Sequence, residues 1–338
     1  MEIRVGVLHD YTPPDGGASF EWAARLGIGE VESAGRLPAP VAVIHEPAHE
    51  DIGAAFARLV DQGVLAILGP AITDGALAVR PLVDEAGIPC INYAGNDEAR
   101  SAWMFHFQLG SLEDEPALLI DHLVRRRLRR VVLVQDTSRV GERLAGFFRD
   151  AAAARCELAD HLRVEPDGSR MDATVASARR AEPDAIAFVG FWRAAHRLAL
   201  ETKAHGWTIP TVANSALMYG HADPAWAADW DGWTYVDTFS EANPRFAALS
   251  RTAIAAGRTA GPGEAGAYDM GRLLAEGIAR APELTRAGIR TGLERVKALP
   301  AATGHAGTLM GFGNWDRGAL KGPYLVLRTW RGGRSACA

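Results

Sequence analysis

Strand-length apolar runs alternate with helix-length amphipathic runs along most of this chain, and that alternation limits the fold more than any other feature. Ile3 to Leu8 reads as a strand. Phe20 to Glu32 reads as a helix with Phe20, Ala23, Ala24 and Gly27 on one face, and Pro40 to His45 as a second strand. Asp51 to Gln62 carries Ile52, Ala55, Phe56, Leu59 and Val60 at the helical period, with Asp51 placed to cap it and Gly63 to end it. Leu65 to Leu68 is a strand broken by Gly69-Pro70, Ala76 to Ala86 a helix stopped by Gly87, and Ile88 to Asn92 the next strand. The pattern then restarts. Ala117 to Arg127, Glu142 to Arg155 and Ala194 to His205 read as helices, and Arg130 to Gln135, Ala185 to Val189 and Thr211 to Ala213 as strands. Strands separated by helices of about ten or more residues predict parallel sheets built from right-handed β-α-β units, and two such series predict two lobes.

The length of 338 residues fits two domains of ordinary size. Apolar residues make up 48% and charged residues 23%, the balance of a soluble globular chain, and a net charge of −5 gives no basic surplus for nucleic acid. Arg125-Arg126-Arg127 with Arg129-Arg130 reads as a solvated helix end. No run reaches the ~18 to 20 apolar residues of a membrane span. Met1-Glu2 leads directly into the first strand with no signal peptide, so a cytoplasmic chain and one starting after signal cleavage are both compatible with the sequence. Cys90, Cys156 and Cys337 are odd in number and far apart, match no metal spacing and call for no disulfide.

No set of residues reads as a catalytic constellation. There is no Gly-x-Gly-x-x-Gly after the first strand, no phosphate loop and no Gly-x-Ser-x-Gly elbow. His45-Glu46-Pro47-Ala48-His49 spells His-Glu-x-x-His, which binds metal when both histidines stand on one helix, but with Glu50 it falls between a strand and a helix, where a solvated loop is the expectation. The sequence thus calls for no enzyme activity, no cofactor and no metal.

Near the C-terminus, Gly307-Thr308-Leu309-Met310-Gly311-Phe312 runs into Gly313-Asn314-Trp315-Asp316-Arg317-Gly318-Ala319-Leu320-Lys321-Gly322, and this reads as turn-connected β structure. That segment resembles the closing segment of type I periplasmic binding proteins, and within them the branched-chain amino-acid (Leu/Ile/Val) substrate-binding subgroup of ABC transporters. Other stretches are similar to the same family: Gln62 to Pro70, Glu85 to Asn92, Gln135 to Glu142, Glu182 to Gly190, and Ala267-Tyr268-Asp269-Met270-Gly271-Arg272-Leu273-Leu274. The resemblance implies two Rossmann-like α/β lobes with mainly parallel sheets, joined by three hinge crossings near Gln108 to Leu112, Tyr235 to Ala242 and Met310 to Trp315. It implies an N-terminal lobe of residues 1–110 plus 242–310 and a C-terminal lobe of 111–241 plus 311–338. A small-molecule ligand would sit between the lobes with hinge closure, and permease subunits would be the partners. The location would be periplasmic or at the cell envelope. A cytoplasmic amide-type sensor of the same fold is the alternative.

In open α/β sheets, ligands sit outside the carboxyl ends of the strands. The loops there hold His9 to Thr12, Ala71 to Asp74, Tyr93 to Asn96, Thr137 to Val140, Phe191-Trp192 and Asn214 to Tyr219. Thr73 and Asp74 precede a helix, whose N-terminal N–H groups suit an acidic or amide end, and either could simply cap that helix. By the resemblance, Thr73 and the backbone of Ala94, Gly95 and Asn96 hold the ligand's acidic or amide end, while Tyr11, Tyr93, Phe191 and Trp192 form walls. Two further ligand positions depart from the pattern: Val140 stands where an aromatic residue is usual, and Ser215 where an acid meets the ligand ammonium. Tyr219 completes the set. Asp10, Glu115, Asp237 and Asp269 are the other acids considered for an ammonium, Asp269 being more in keeping with a structural role. Trp226, Trp230 and Trp233 read as packing beneath a loop. Leucine is therefore a poorer expectation than the resemblance alone would give.

Overall fold

The computed structural model describes residues 2–10, 17–48 and 50–338. From the N-terminus the chain runs through β1 (Ile3–His9), α1 (Ala18–Ser33), β2 (Val41–Pro47), α2 (Ile52–Asp61), β3 (Ala66–Leu68), α3 (Thr73–Ala86), β4 (Cys90–Asn92) and β5 (Met104–His106). It continues through α4 (Asp114–Arg125), β6 (Arg130–Asp136), α5 (Arg139–Ala152), β7 (Glu157–Val164), α6 (Met171–Arg180), β8 (Ala185–Val189), α7 (Trp192–Ala204), β9 (Thr211–Ala213), α8 (Pro224–Asp229) and β10 (Thr234–Asp237). Then come α9 (Pro244–Ala255), α10 (Pro262–Ala279), α11 (Arg286–Glu294), β11 (Leu299–Pro300), β12 (Leu309–Met310), β13 (Leu320–Lys321), β14 (Val326–Arg331) and β15 (Arg334–Cys337). These elements pack into two compact units: Met1–Leu109 with Thr238–Tyr324, and Gly110–Asp237 with Leu325–Ala338.

The first unit is built on a parallel sheet of order β2-β1-β3-β4-β5. Successive side chains of a strand point to opposite faces. Val5, Val7, Ala66, Leu68 and Ile91 accordingly join one core with residues of α1, α10 and α11, while Leu8, Ile67, Cys90 and Met104 join another with residues of α2 and α3. Burial on both faces explains why these strands read as continuous apolar runs. Helices α1 and α10 approach so closely that a Cβ on Gly271 would lie 2.2 Å from the Ala24 carbonyl oxygen, and one on Gly27 would lie 2.1 Å from that of Tyr268. A small antiparallel sheet, β11-β12-β13, completes the unit. The loop before β13 leaves Trp315 97% exposed.

The second unit has a seven-stranded sheet of order β15-β14-β10-β9-β8-β6-β7, parallel except that β14 runs antiparallel to both β10 and β15. Val132, Val134, Ile186, Phe188 and Tyr235 face a core shared with α6, α7 and α8, and Val131, Leu133, Ala187, Val189 and Val236 face one shared with α4 and α5.

Two local expectations change. Strand β2 extends through Pro47, so His45 and Glu46 are strand residues, His45 lying 3.3 Å from the Glu21 carboxylate and Glu46 2.6 Å from Arg58. His49 lies outside the described residues. The tryptophan region is not a loop: Asp223 caps α8 by accepting the Ala225 N–H at 3.0 Å, and Trp230 is fully buried beneath it. Among the described residues no helix is long and apolar enough to cross a membrane.

Candidate functional site

Parallel order brings the C-terminal ends of β1, β3 and β4 to one edge of the first unit. Gly69, after β3, has φ +96°, and a Cβ there would lie 2.2 Å from the Leu8 carbonyl oxygen, so only glycine fits this turn. Helix α3 begins at Thr73, a turn earlier than the sequence suggests. Its N-cap is Ile72, and neither Thr73 nor Asp74 caps it through a side chain. A carboxylate that follows β1 instead holds the loop just ahead of the helix. Asp10 Oδ1 accepts the N–H of Ala71 at 2.7 Å and of Ile72 at 3.2 Å, and Oδ2 lies 3.1 Å from the Ile72 nitrogen. Gly75 makes room for it, since a Cβ there would come within 2.2 Å of Asp10 Oδ2. Thr73 stays half-buried and Asp74 exposed at this helix end.

The loop after β4 differs from its expected role. Tyr93 is buried in the core against Phe107 and donates its hydroxyl to the Pro262 carbonyl at 3.2 Å, so it is a core residue and not an open wall. Ala94 is buried, with its N–H given to Asn92 Oδ1 at 3.1 Å and its C=O accepting from His106 Nε2 at 2.7 Å. Arg100 Nε donates to Nδ1 of His106 at 3.0 Å, which fixes the Nε2–H tautomer. Burial holds this histidine down at about 4 and keeps it neutral. Asn96 accepts the Glu98 N–H at 3.0 Å and starts a 3₁₀ turn over Asp97–Ala99. Gly95 remains partly exposed. Tyr11 lies outside the described residues.

In the second unit the ends of β6, β8 and β9 form the corresponding edge. Asp136, closing β6, accepts the Phe191 N–H at 2.6 Å, the Ser138 N–H at 3.1 Å and the Ser138 hydroxyl. Burial pushes its carboxyl up. Gly190 is necessary beside it, since φ is +147° and a Cβ would lie 2.4 Å from Asp136 Cγ. Asn214 binds both the N–H and the C=O of Gly190, each at 3.1 Å. Phe191, Trp192 and Tyr219 are brought together: Trp192 stacks on Tyr219 with centroids 5.1 Å apart and planes 6° from parallel, and Phe191 meets Trp192 edge-on at 5.6 Å. Phe191 is 37% exposed. The aromatic row continues through Trp226 to His196, which stack at 4.2 Å.

Val140 and Ser215 point elsewhere. Val140, in the first turn of α5, packs against the core with Leu119 and Leu144. Ser215 serves Glu115, giving its N–H to Oε2 at 2.8 Å and its hydroxyl to Oε1 at 3.1 Å, with the Ser111 N–H adding a third bond at 2.8 Å. Burial outweighs these donors and raises Glu115 to about 7. The acids considered for an ammonium are all bound within the chain. Asp237 holds Tyr235 Oη at 2.8 Å and His221 Nε2 at 2.9 Å, and Asp269 takes the N–H groups of Ala302 and Thr303 at 2.8 Å each. Glu115, Asp237 and Asp269 are at most 2% exposed. The sequence reading overlooked Asp136 and gave Asn214 no role beyond its place in a strand-end loop. Their signal was the strand-end position, which it applied to the neighbouring residues. Among the described residues no group of three or more His, Cys, Asp or Glu is placed to hold a metal.

A model of the periplasmic binding protein family matches residues 2–328. Among solved structures, an ABC transporter substrate-binding protein from Desulfitobacterium hafniense in complex with Leu aligns at a TM-score of 0.85 and 17% identity, with 100% of each chain covered. The branched-chain amino acid transporter substrate-binding protein of Streptococcus pneumoniae in complex with isoleucine aligns at 0.83 and 17%, over 100% of this chain and 99% of the other. A leucine-binding protein from Thermotoga maritima aligns at 0.81 and 18%, over 99% and 97%. At such identities the likeness establishes the fold: α/β, two lobes, mainly parallel sheets. No curated protein matches the sequence.

Proposed function

The chain belongs to the periplasmic binding protein family, and on that premise we propose that it is the substrate-binding protein of an ABC transporter. In this reading it works in the periplasm or cell envelope. It binds a small amino-acid-like, amide or aromatic carboxylate ligand reversibly and presents it, chemically unchanged, to permease subunits. One ligand engages both units, and the chain crossings between them act as hinges. The observation that carries the reading is the packing together of Phe191, Trp192 and Tyr219 at the strand ends of the second unit, with Thr73 and Gly95 left partly exposed after strands of the first. Thr73 and the backbone of Gly95 and Asn96 supply polar contacts, and the aromatic group supplies flat apolar surface. The internal pairing of Glu115, Asp237 and Asp269 speaks against an α-ammonium anchor among them, and so against leucine, isoleucine or valine as the favoured ligand.

Calorimetry against amino acids, amides, urea and aromatic acids tests this. At least one compound should bind and be recovered intact after incubation. Thr73→Ala should weaken that binding by roughly 1 to 3 kcal/mol, the value of a hydrogen bond to a buried or charged group. Turnover that tracks the purified protein would overturn the receptor reading, and unchanged affinity would remove Thr73 from the site.

A further inference from the structure

We propose that Glu115 positions the aromatic group of the second unit, by tying the loop that carries Tyr219 to the segment where the chain enters that unit. The inference rests on the receptor reading above in taking this group as ligand surface. Gly110 is the first residue of the second unit, and Ser111 follows it just ahead of α4. Asp114 fastens this segment to the helix, because the Ser111 hydroxyl accepts the Asp114 N–H and donates to Asp114 Oδ2, each at 3.0 Å. The Glu115 carboxylate then reaches in two directions. Oε1 accepts the Ser111 N–H and Oε2 the Ser215 N–H, both at 2.8 Å, and the Ser215 hydroxyl adds a bond to Oε1 at 3.1 Å. Gly110 leaves room for it, since φ is +84° and a Cβ there would lie 2.1 Å from Oε1.

Ser215 opens the 3₁₀ helix Ser215–His221, which carries Tyr219. Its neighbour Asn214 binds the N–H and C=O of Gly190, directly before Phe191 and Trp192. The two loops that supply the aromatic group are thus fastened to each other by Asn214 and to the chain entry by Glu115. The 3₁₀ helix has further anchors: the Leu217 C=O accepts from Trp330 Nε1 at 3.3 Å, and His221 Nε2 meets Asp237 at 2.9 Å. Loss of Glu115 should therefore free one end of the loop and leave the fold standing. Stability alone does not account for an acid here. The side chain is buried, and burying a charge carries a desolvation cost that an apolar group of similar size avoids. What an ionised carboxylate provides is two acceptor oxygens for two backbone N–H groups. An amide in its place has one acceptor and would set its NH₂ against the other N–H.

NMR of the whole chain without ligand tests this, so its failure is separate from that of the receptor reading. Measurement at about pH 8.5 keeps Glu115 ionised, above the value of about 7 to which burial raises it. Tyrosine is isotope-labelled, and the Tyr219 ring signals are identified by their absence in Tyr219→Phe. Stacked on Trp192 with centroids 5.1 Å apart, that ring should resonate upfield under the indole ring current. In Glu115→Gln, its fold verified by circular dichroism, the upfield shift should fall by about half or more, and the amide of Ser111 or Ser215 should exchange with deuterium at least about tenfold faster, the scale of a lost hydrogen bond to a charged group. A residue that only stabilised the fold would lower the unfolding temperature and leave the Tyr219 signals in place. The proposal is overturned if wild-type Tyr219 shows no upfield shift, or if folded Glu115→Gln keeps either the wild-type shift or the protection of both amides. Should Glu115→Gln not fold, Glu115→Asp, which keeps the charge but is one methylene too short to span both donors, is read in its place. If neither folds, Glu115 serves the fold alone and the proposal falls. Failure of every compound in the calorimetry above would count against the receptor reading and leave the Glu115 clamp standing.

Discussion

Asp10 and Asp136 repeat one device in the two units. Each closes or follows a strand, and each gives its carboxylate to backbone N–H groups at the start of the helix after the neighbouring strand, β3 in one case and β8 in the other. Two other buried groups make the pH dependence of the units opposite. His106 is neutral in the fold at about 4 against an ordinary 6.5, so the unfolded chain binds the extra proton. Its contribution is present above pH 6.5 and is lost as pH falls toward 4. Glu115 is raised from 4.5 to about 7, so the folded chain binds the extra proton. Its contribution is present below pH 4.5 and is lost as pH rises through 7. Each amounts to roughly 3 kcal/mol, and within their overlap they offset one another. Denaturant unfolding of wild type and Glu115→Gln across this range should show the wild-type advantage shrinking as pH rises. A difference that stays constant with pH would sink the assignment. Much of the candidate site was legible, because strand ends can be located from apolar runs alone. What stayed hidden was direction. Tyr93 lies two residues beyond Ile91 along an extended chain, so it faces the same core, and its turn inward follows from the pleat. The bonds from Asp10 to Ala71 and Ile72, just ahead of α3, join residues about sixty apart, a long-range contact that no local signal announces.

At the scale of elements, the crossing of α1 and α10 depends on backbone meeting backbone. Gly271→Val would drive its side chain into the Ala24 carbonyl, where the helices have no room to yield. The expected cost is about 3 kcal/mol, at the upper end for overpacking. Gly29→Ala in the same α1 meets nothing within 4 Å and should gain up to about 1 kcal/mol from helix propensity. Thermal unfolding of both variants checks the pair, and a Gly271→Val protein as stable as wild type would refute the close-contact account. The strands buried on both faces were plain in the sequence, since Ile3 to Leu8 and Ala185 to Val189 are nearly all apolar. Strand β7 was not. It lies at the edge of its sheet with half-exposed side chains, and Glu157-Leu158-Ala159-Asp160-His161 offers no apolar run to notice. Helix α8 is only six residues long, too short for a periodic pattern to stand out.

For the whole molecule, the proposed function needs one ligand to engage both units, and a ligand can favour a more closed arrangement only by binding it better. Small-angle scattering should then record a lower radius of gyration at saturation with whichever compound calorimetry identifies. An unchanged radius would argue against hinge closure while leaving the family assignment intact. The division of each unit between distant stretches of sequence also governs how the protein is made. Helix α1 ends at Ser33, but α10, against which its glycine seam closes, starts at Pro262. At ribosomal rates of about 5 to 20 residues per second, the nascent first unit waits roughly 10 to 50 seconds with that apolar face uncovered. The second unit in turn lacks β14 and β15 until residues 326–337 emerge. Neither unit can finish folding until these distant stretches have been made, so the growing chain is a natural client for chaperones that shield apolar surface in the meantime.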